Sequence, residues 1–165
     1  VEFEIKTMKD QPPPAAPEAG KALIVFVGTA PGTTLSSLPP IRFGLDGTWA
    51  GATKHKSYFV VTVAPGEHHL CAAFQAGPFK SFKSAVPVDI TAEAGKVYYY
   101  EAVVNVTQGA SRPMVVVGGA PGQPPPTVVG GGGGGSISFS FIPLSDAEGK
   151  YRVKAWELSA STPKH

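Results

Sequence analysis

The chain has 165 residues, of which 42% are apolar and 16% charged, and its formal net charge is +2. That is enough apolar material for one domain with a core. The 14 Lys and Arg form no run, so the clustered basic face that nucleic-acid binding needs is missing.

Residues 1–6, VEFEIK, alternate: Val1, Phe3 and Ile5 fall on one face and Glu2, Glu4 and Lys6 on the other. This predicts a strand with one buried face. Residues 7–20 follow, with Pro12, Pro13, Pro14 and Pro17. Such a stretch favours an extended polyproline tether of ~3.1 Å per residue, so it spans on the order of 35 Å. Residues 1–20 are therefore expected to form a strand and tether, and residues 21–165 the main domain.

Residues 21–28, KALIVFVG, form an apolar run suited to a central strand covered on both faces. Residues 29–39 read as a loop. A strand at 41–45 turns at Asp46-Gly47 and returns over 48–52, with Trp49 as a large anchor. A strand at 57–64 turns at Pro65-Gly66 into a partner at 67–75, and residues 76–78 break it. Val86, Val88 and Ile90 place a strand at 85–91, and Pro87 argues for a sheet edge. Residues 93–95 turn, and 96–107, KVYYYEAVVNVT, form a long strand. A short strand at 112–117 is expected next. Residues 118–135 are a Gly/Pro-rich loop with six consecutive glycines, costly to order.

Residues 136–142, SISFSFI, alternate again, with Ile137, Phe139 and Phe141 inward and Pro143 as the stop. Ser145 and Glu148 have capping-box spacing, which predicts a short helical turn ended by Gly149. Residues 151–158 read as a strand in preference to a helix, and 159–165 as a tail. Eight or nine short strands at close spacing predict an all-β, antiparallel β-sandwich of the transthyretin or immunoglobulin kind.

Three stretches, taken in order, carry a resemblance. They are Leu45-Asp46-Gly47, then SYFVVTVAPGEHHL over 57–70, then TAEAGKVYYYEA over 91–102. Residues 21–105 thereby resemble uncharacterised bacterial envelope and lipoprotein domains of unknown function with a PEGA-like layout: a strand ending in DG, one ending in PG, and a later GK-aromatic strand. The resemblance implies a small transthyretin-like sandwich at the cell surface or in the periplasm, and no catalytic residues. The tether and the Gly-rich loop lie outside it.

Cys71 is the single cysteine, so neither an intrachain disulfide nor a Cys-based zinc site is available. Its apolar strand context predicts a buried thiol. On that strand Glu67, His69 and Cys71 face one way and His68 the other, too few convergent ligands for the three or four that zinc takes. The Ser and His residues form no nucleophile-elbow motif, and the glycine run lacks the Lys-Ser/Thr of a phosphate loop. No enzyme activity, cofactor or metal is expected.

Tyr98 and Tyr100 share a face and Tyr99 takes the other, so Tyr99 and Trp49 are the candidate ligand platform. Asn105, the one asparagine, heads a glycosylation sequon with Thr107. The longest apolar run is far short of the roughly 20 residues of a spanning helix. The chain begins on Val1, and with its low charge this leads us to expect an exported, extracellular or surface protein whose targeting segment has been removed.

A lone alternating strand on a tether must find a sheet. The leading expectation is a structural subunit that forms a homo-oligomer or filament by adding Val1, Phe3 and Ile5 to a neighbour's sheet. The alternative is a monomeric envelope module that binds glycans or protein through exposed aromatics.

Overall fold

A computed structural model of the chain describes residues 1–28, 39–75, 87–108, 112–114 and 136–164; for 104–108, 112–114 and 136–139 it describes the backbone alone. Eleven strands and one helix run in the order β1 (Phe3–Met8), β2 (Ala22–Val27), β3 (Ile41–Leu45), β4 (Thr48–Thr53), β5 (Ser57–Val63), β6 (Gly66–Phe74), β7 (Val88–Ala92), β8 (Val97–Gln108), β9 (Arg112–Met114), β10 (Ser136–Leu144), α1 (Asp146–Ala155) and β11 (Glu157–Pro163). The loop expected at 118–135, the break at 76–78, most of the 29–39 loop and the ends of two predicted strands lie outside the described residues.

The strands form a sandwich of two largely antiparallel sheets. The larger has the order β1-β11-β5-β2-β8-β10, with β9 also on β8; the smaller is β4-β3-β6-β7. The alternation of the strands dictates the packing. Ile24 and Phe26 of β2, Phe43 of β3, Phe59 of β5 and Phe74 of β6 meet between the sheets. The Phe26 ring stacks on Phe59 and tilts against Phe43, each at 5.0 Å between centroids. Central β2 is buried along its whole length, as its unbroken apolar run requires.

The turns are those the residues dictate. Asp46 (φ 50°) and Gly47 (φ 82°) are both left-handed, the backbone that a two-residue hairpin demands. β7 lies at the edge of the smaller sheet with Pro87 just ahead of it.

Three expectations fail for identifiable reasons. Pro143 does not stop β10, which continues to Leu144 opposite Tyr99. β10 pairs with β8 alone, and an edge strand tolerates a missing N–H on its outer side. Gly149 does not end the helix. Ser145 caps α1 by accepting from the Glu148 amide at 3.2 Å, but the helix runs on to Ala155 and takes 151–155 of the strand expected at 151–158, leaving 157–158 to begin β11. A Cβ built on Gly149 lies 2.1 Å from Tyr99 Cγ, so the glycine lets α1 lie directly on the Tyr99 ring. The residues read as a tail form β11, which joins β1 to the sheet through a six-residue antiparallel register from Phe3↔Pro163 to Met8↔Leu158.

The outer face of the larger sheet is apolar too. Val25, Val27, Tyr58, Tyr99 and Leu144 gather there under Val153 of α1. β11 pairs with β5 only at Glu157↔Ser57 and Leu158↔Tyr58. Beyond that point its serines turn to the smaller sheet: Ser159 Oγ donates to the Ala52 carbonyl at 2.8 Å, and Ser161 Oγ accepts from the Ala52 amide at 3.2 Å.

Candidate functional site

The seat of the N-terminal strand is assembled from four separate parts of the chain. Phe3 and Ile5 are buried with Ala52 in a small cluster, with Trp49 packed against it, distinct from the main core. Burying two such side chains contributes about 2–3 kcal/mol each. Val1 does not join them: it is 66% exposed, because the pairing with β11 starts at Phe3. Its carbonyl instead accepts from Arg42 Nη1 at 2.9 Å, and the Arg42 guanidinium lies over the Trp49 ring at 4.1 Å.

Gln75 completes the seat. The Phe3 amide donates to Gln75 Oε1 at 2.9 Å, and Gln75 Nε2 donates to the Phe3 carbonyl at 2.6 Å. One side-chain amide thus stands in for the next strand of the ladder, satisfying a donor and an acceptor together. Gln75 is 4% exposed, so nothing else could satisfy these groups cheaply. Sequence reasoning passed over Gln75. Its sole signal is a polar residue closing the apolar run LCAAF, and its partner is 72 residues away.

The smaller sheet carries a histidine–carboxylate pair of pairs. On β6, His68 points inward with Leu70, Ala72 and Phe74 while Glu67, His69 and Cys71 face out, the alternation expected. His68 Nδ1 lies 2.7 Å from Asp46 Oδ2, and Nε2 lies 2.6 Å from the Ala64 carbonyl. Both ring nitrogens face oxygen acceptors, so the imidazolium is the form that satisfies both. The Ala64 carbonyl first, and Asp46 with it, raise the His68 pKa above its ordinary value. The Asp46 pKa is lowered, first by the His69 backbone amide, which donates to Oδ1 at 2.9 Å, and then by His68. His69 Nδ1 hydrogen-bonds Asp89 across the β6–β7 register, which raises its pKa.

Partial burial pushes the Cys71 thiol up; its sulfur lies so close to Gly44 that a Cβ there would be 2.3 Å away. Among the described residues, no three His, Cys, Asp or Glu side chains converge as a metal-ligand group. His68 thus ties the Asp46-Gly47 turn to the chain just before the Pro65-Gly66 turn, and the His69–Asp89 pair ties β6 to β7.

The proposed aromatic platform is not a platform. Tyr98 and Tyr100 do share the core-facing side and Tyr99 the other. But Tyr99 is 6% exposed beneath α1, and Trp49 is half-buried with Arg42 on one face. An exposed aromatic sits elsewhere: Tyr151 is 68% exposed, beside a shallow depression with Trp156, whose ring lies 4.9 Å from the Arg152 guanidinium. The expected strand at 151–158 hid this, since only a helix puts Tyr151 and Trp156 along one depression. Asn105 lies on β8 opposite Ser138, and its side chain is outside the described residues.

Comparison with family models, curated proteins and solved structures finds no match to the chain.

Proposed function

We propose that this chain is a non-enzymatic structural module of the cell exterior, transthyretin-like in layout, that associates with copies of itself by exchanging β1. The observation that carries the reading is the seat of that strand. Among the described residues β1 is an edge strand with one strand neighbour, and its apolar residues fill a cluster separate from the main core. The bonds to β11, Gln75 and Arg42 that hold it come from groups a second copy presents equally. The Pro-rich tether supplies the reach for exchange, on the order of 35 Å. Reciprocal exchange closes a dimer, and head-to-tail exchange propagates a filament. The DG and PG turns and the GK-aromatic strand support the envelope setting.

The experiment mixes two differently tagged preparations at concentrations up to about 1 mM, the upper end of the range in which exposed strand edges associate. Mixed-tag oligomers that vanish on deletion of residues 1–9 are expected. A chain that stays monomeric, with no mixed species after prolonged incubation, overturns the reading.

Exposed Tyr151 beside Trp156 and Arg152 supports a second reading, a monomeric module that binds glycan or protein there, since Tyr, Trp and Arg dominate contact surfaces. A glycan array probed with the parent chain and the Tyr151→Ala variant tests it; signal that is absent, or unchanged by the substitution, removes it.

A further inference from the structure

The larger sheet is split, and the split is a cleft. After Leu158, β11 leaves β5 to follow β1 and β4, so among the described residues β5 from Phe59 to Val63 has a strand neighbour on one side only. The register says which groups face the gap. The Gly28 amide donates to the Ser57 carbonyl, so in this antiparallel pair every second residue of β5 from Ser57 bonds β2. Val60 and Thr62 are the intervening residues. Their amides and carbonyls aim away from β2, toward the departed β11, and meet no partner among the described residues.

The gap measures about 540 Å³. Leu23, Val60 and Leu158 give it an apolar floor, and Ala50, Phe59 and Ser161 close the far wall. Ser159 and Ser161 are already committed to Ala52. The polar lining left for an occupant is Glu18, the Thr62 hydroxyl, the Ser161 hydroxyl hydrogen and the backbone groups of Val60 and Thr62, and of these only the backbone groups repeat at ladder spacing.

Pro12, Pro14 and Ala15 of the tether form the roof. Prolines have no N–H, so this roof shields the strand edge without zipping onto it. It covers the cleft and leaves the ladder positions of β5 open.

We propose that this cleft is a binding site for an extended segment of another protein, which adds as a strand beside β5. Two amides and two carbonyls at two-residue spacing are matched together by the backbone of an extended peptide and by no compact small molecule. The apolar floor selects β-branched or small apolar side chains at alternate positions, with no proline where a ladder N–H is required. The site does not use β1, although exchange of β1 would move the tether that roofs it.

The test titrates the full chain with a synthetic library of capped ten-residue peptides in which Val, Ile or Thr alternates with Ser or Lys. Binding is followed by amide hydrogen exchange at Val60 and Thr62. Members that slow exchange at those two amides about tenfold or more are expected. Their N-methylated counterparts, blocked at alternate residues, should bind about tenfold more weakly or worse for want of ladder bonds. Thr62→Pro removes an N–H that no described group uses, so the fold survives and binding falls by a similar factor. Should that variant unfold, the N-methylated series on the parent chain decides alone. Three results overturn the proposal: no library member binding at millimolar concentration, N-methylated peptides binding as well as their parents, or self-association of the free chain that protects the same two amides, which makes a second copy the occupant.

Discussion

Replacing Gln75 tests whether one side chain holds the N-terminal strand in its sheet. Gln75→Leu keeps the volume and removes both hydrogen bonds, leaving the buried amide and carbonyl of Phe3 without partners. Each such group costs about 1–3 kcal/mol, so a loss of about 2–4 kcal/mol is expected, with some relief as β1 lifts toward water. At a urea m-value of about 2 kcal/mol/M this lowers the midpoint by about 1–2 M. Amide exchange at Phe3 should accelerate far more than at Ile24 in central β2, because the loss is local. Gln75→Glu sharpens the logic. A carboxylate still accepts from the Phe3 amide but repels its carbonyl, and burial raises its folded pKa above that of the unfolded chain. Destabilisation is therefore greatest at neutral pH and eases as pH falls through that raised pKa, when the protonated acid donates to the carbonyl. A Gln75→Leu chain within about 0.5 kcal/mol of the parent, the scatter of ordinary surface changes, refutes the reasoning.

Three further outcomes follow from the same structure. The raised His68 pKa contributes stability that is complete below the ordinary imidazole value and lost as pH rises through the folded one; the lowered Asp46 pKa contributes above the ordinary carboxylate value and is lost as pH falls. Both act together between about pH 4 and 6.5, so the joint contribution of this pair is greatest there; NMR titration should place His68 above its ordinary value, and Asp46→Asn should bring it down. Gly149→Ala gains about 1 kcal/mol of helix propensity yet meets the Tyr99 ring, so a net destabilisation of about 1–3 kcal/mol by thermal melt is expected; a stabilised variant would mean α1 does not rest on that ring. Tyr151→Ala should leave stability within about 0.5 kcal/mol of the parent, since the side chain is mostly in water.

Local physics made much of this protein legible in its sequence. The alternation of VEFEIK, the unbroken ALIVFV and the Asp46-Gly47 turn each fix a conformation through near neighbours; the second and third form where expected, while the first strand is shifted to Phe3–Met8 and leaves Val1 exposed. The alternation on β6 likewise separated inward His68 from outward Glu67, His69 and Cys71. Tertiary structure decided the rest, because the deciding partners are distant in the chain. α1 packs so closely on the Tyr99 ring that only glycine fits at 149, and the residue read as a helix stop lies inside a helix that continues over 151–155. The β11 ladder gives β1 a sheet in its own chain, and Gln75 finishes the seat from 72 residues away. The parting of β11 from β5 is set by serines that bond Ala52, more than a hundred residues earlier. Periodicity reports which face of a strand is buried; it carries no information on which strand lies beside it, and it is at those pairings that both proposed sites arise.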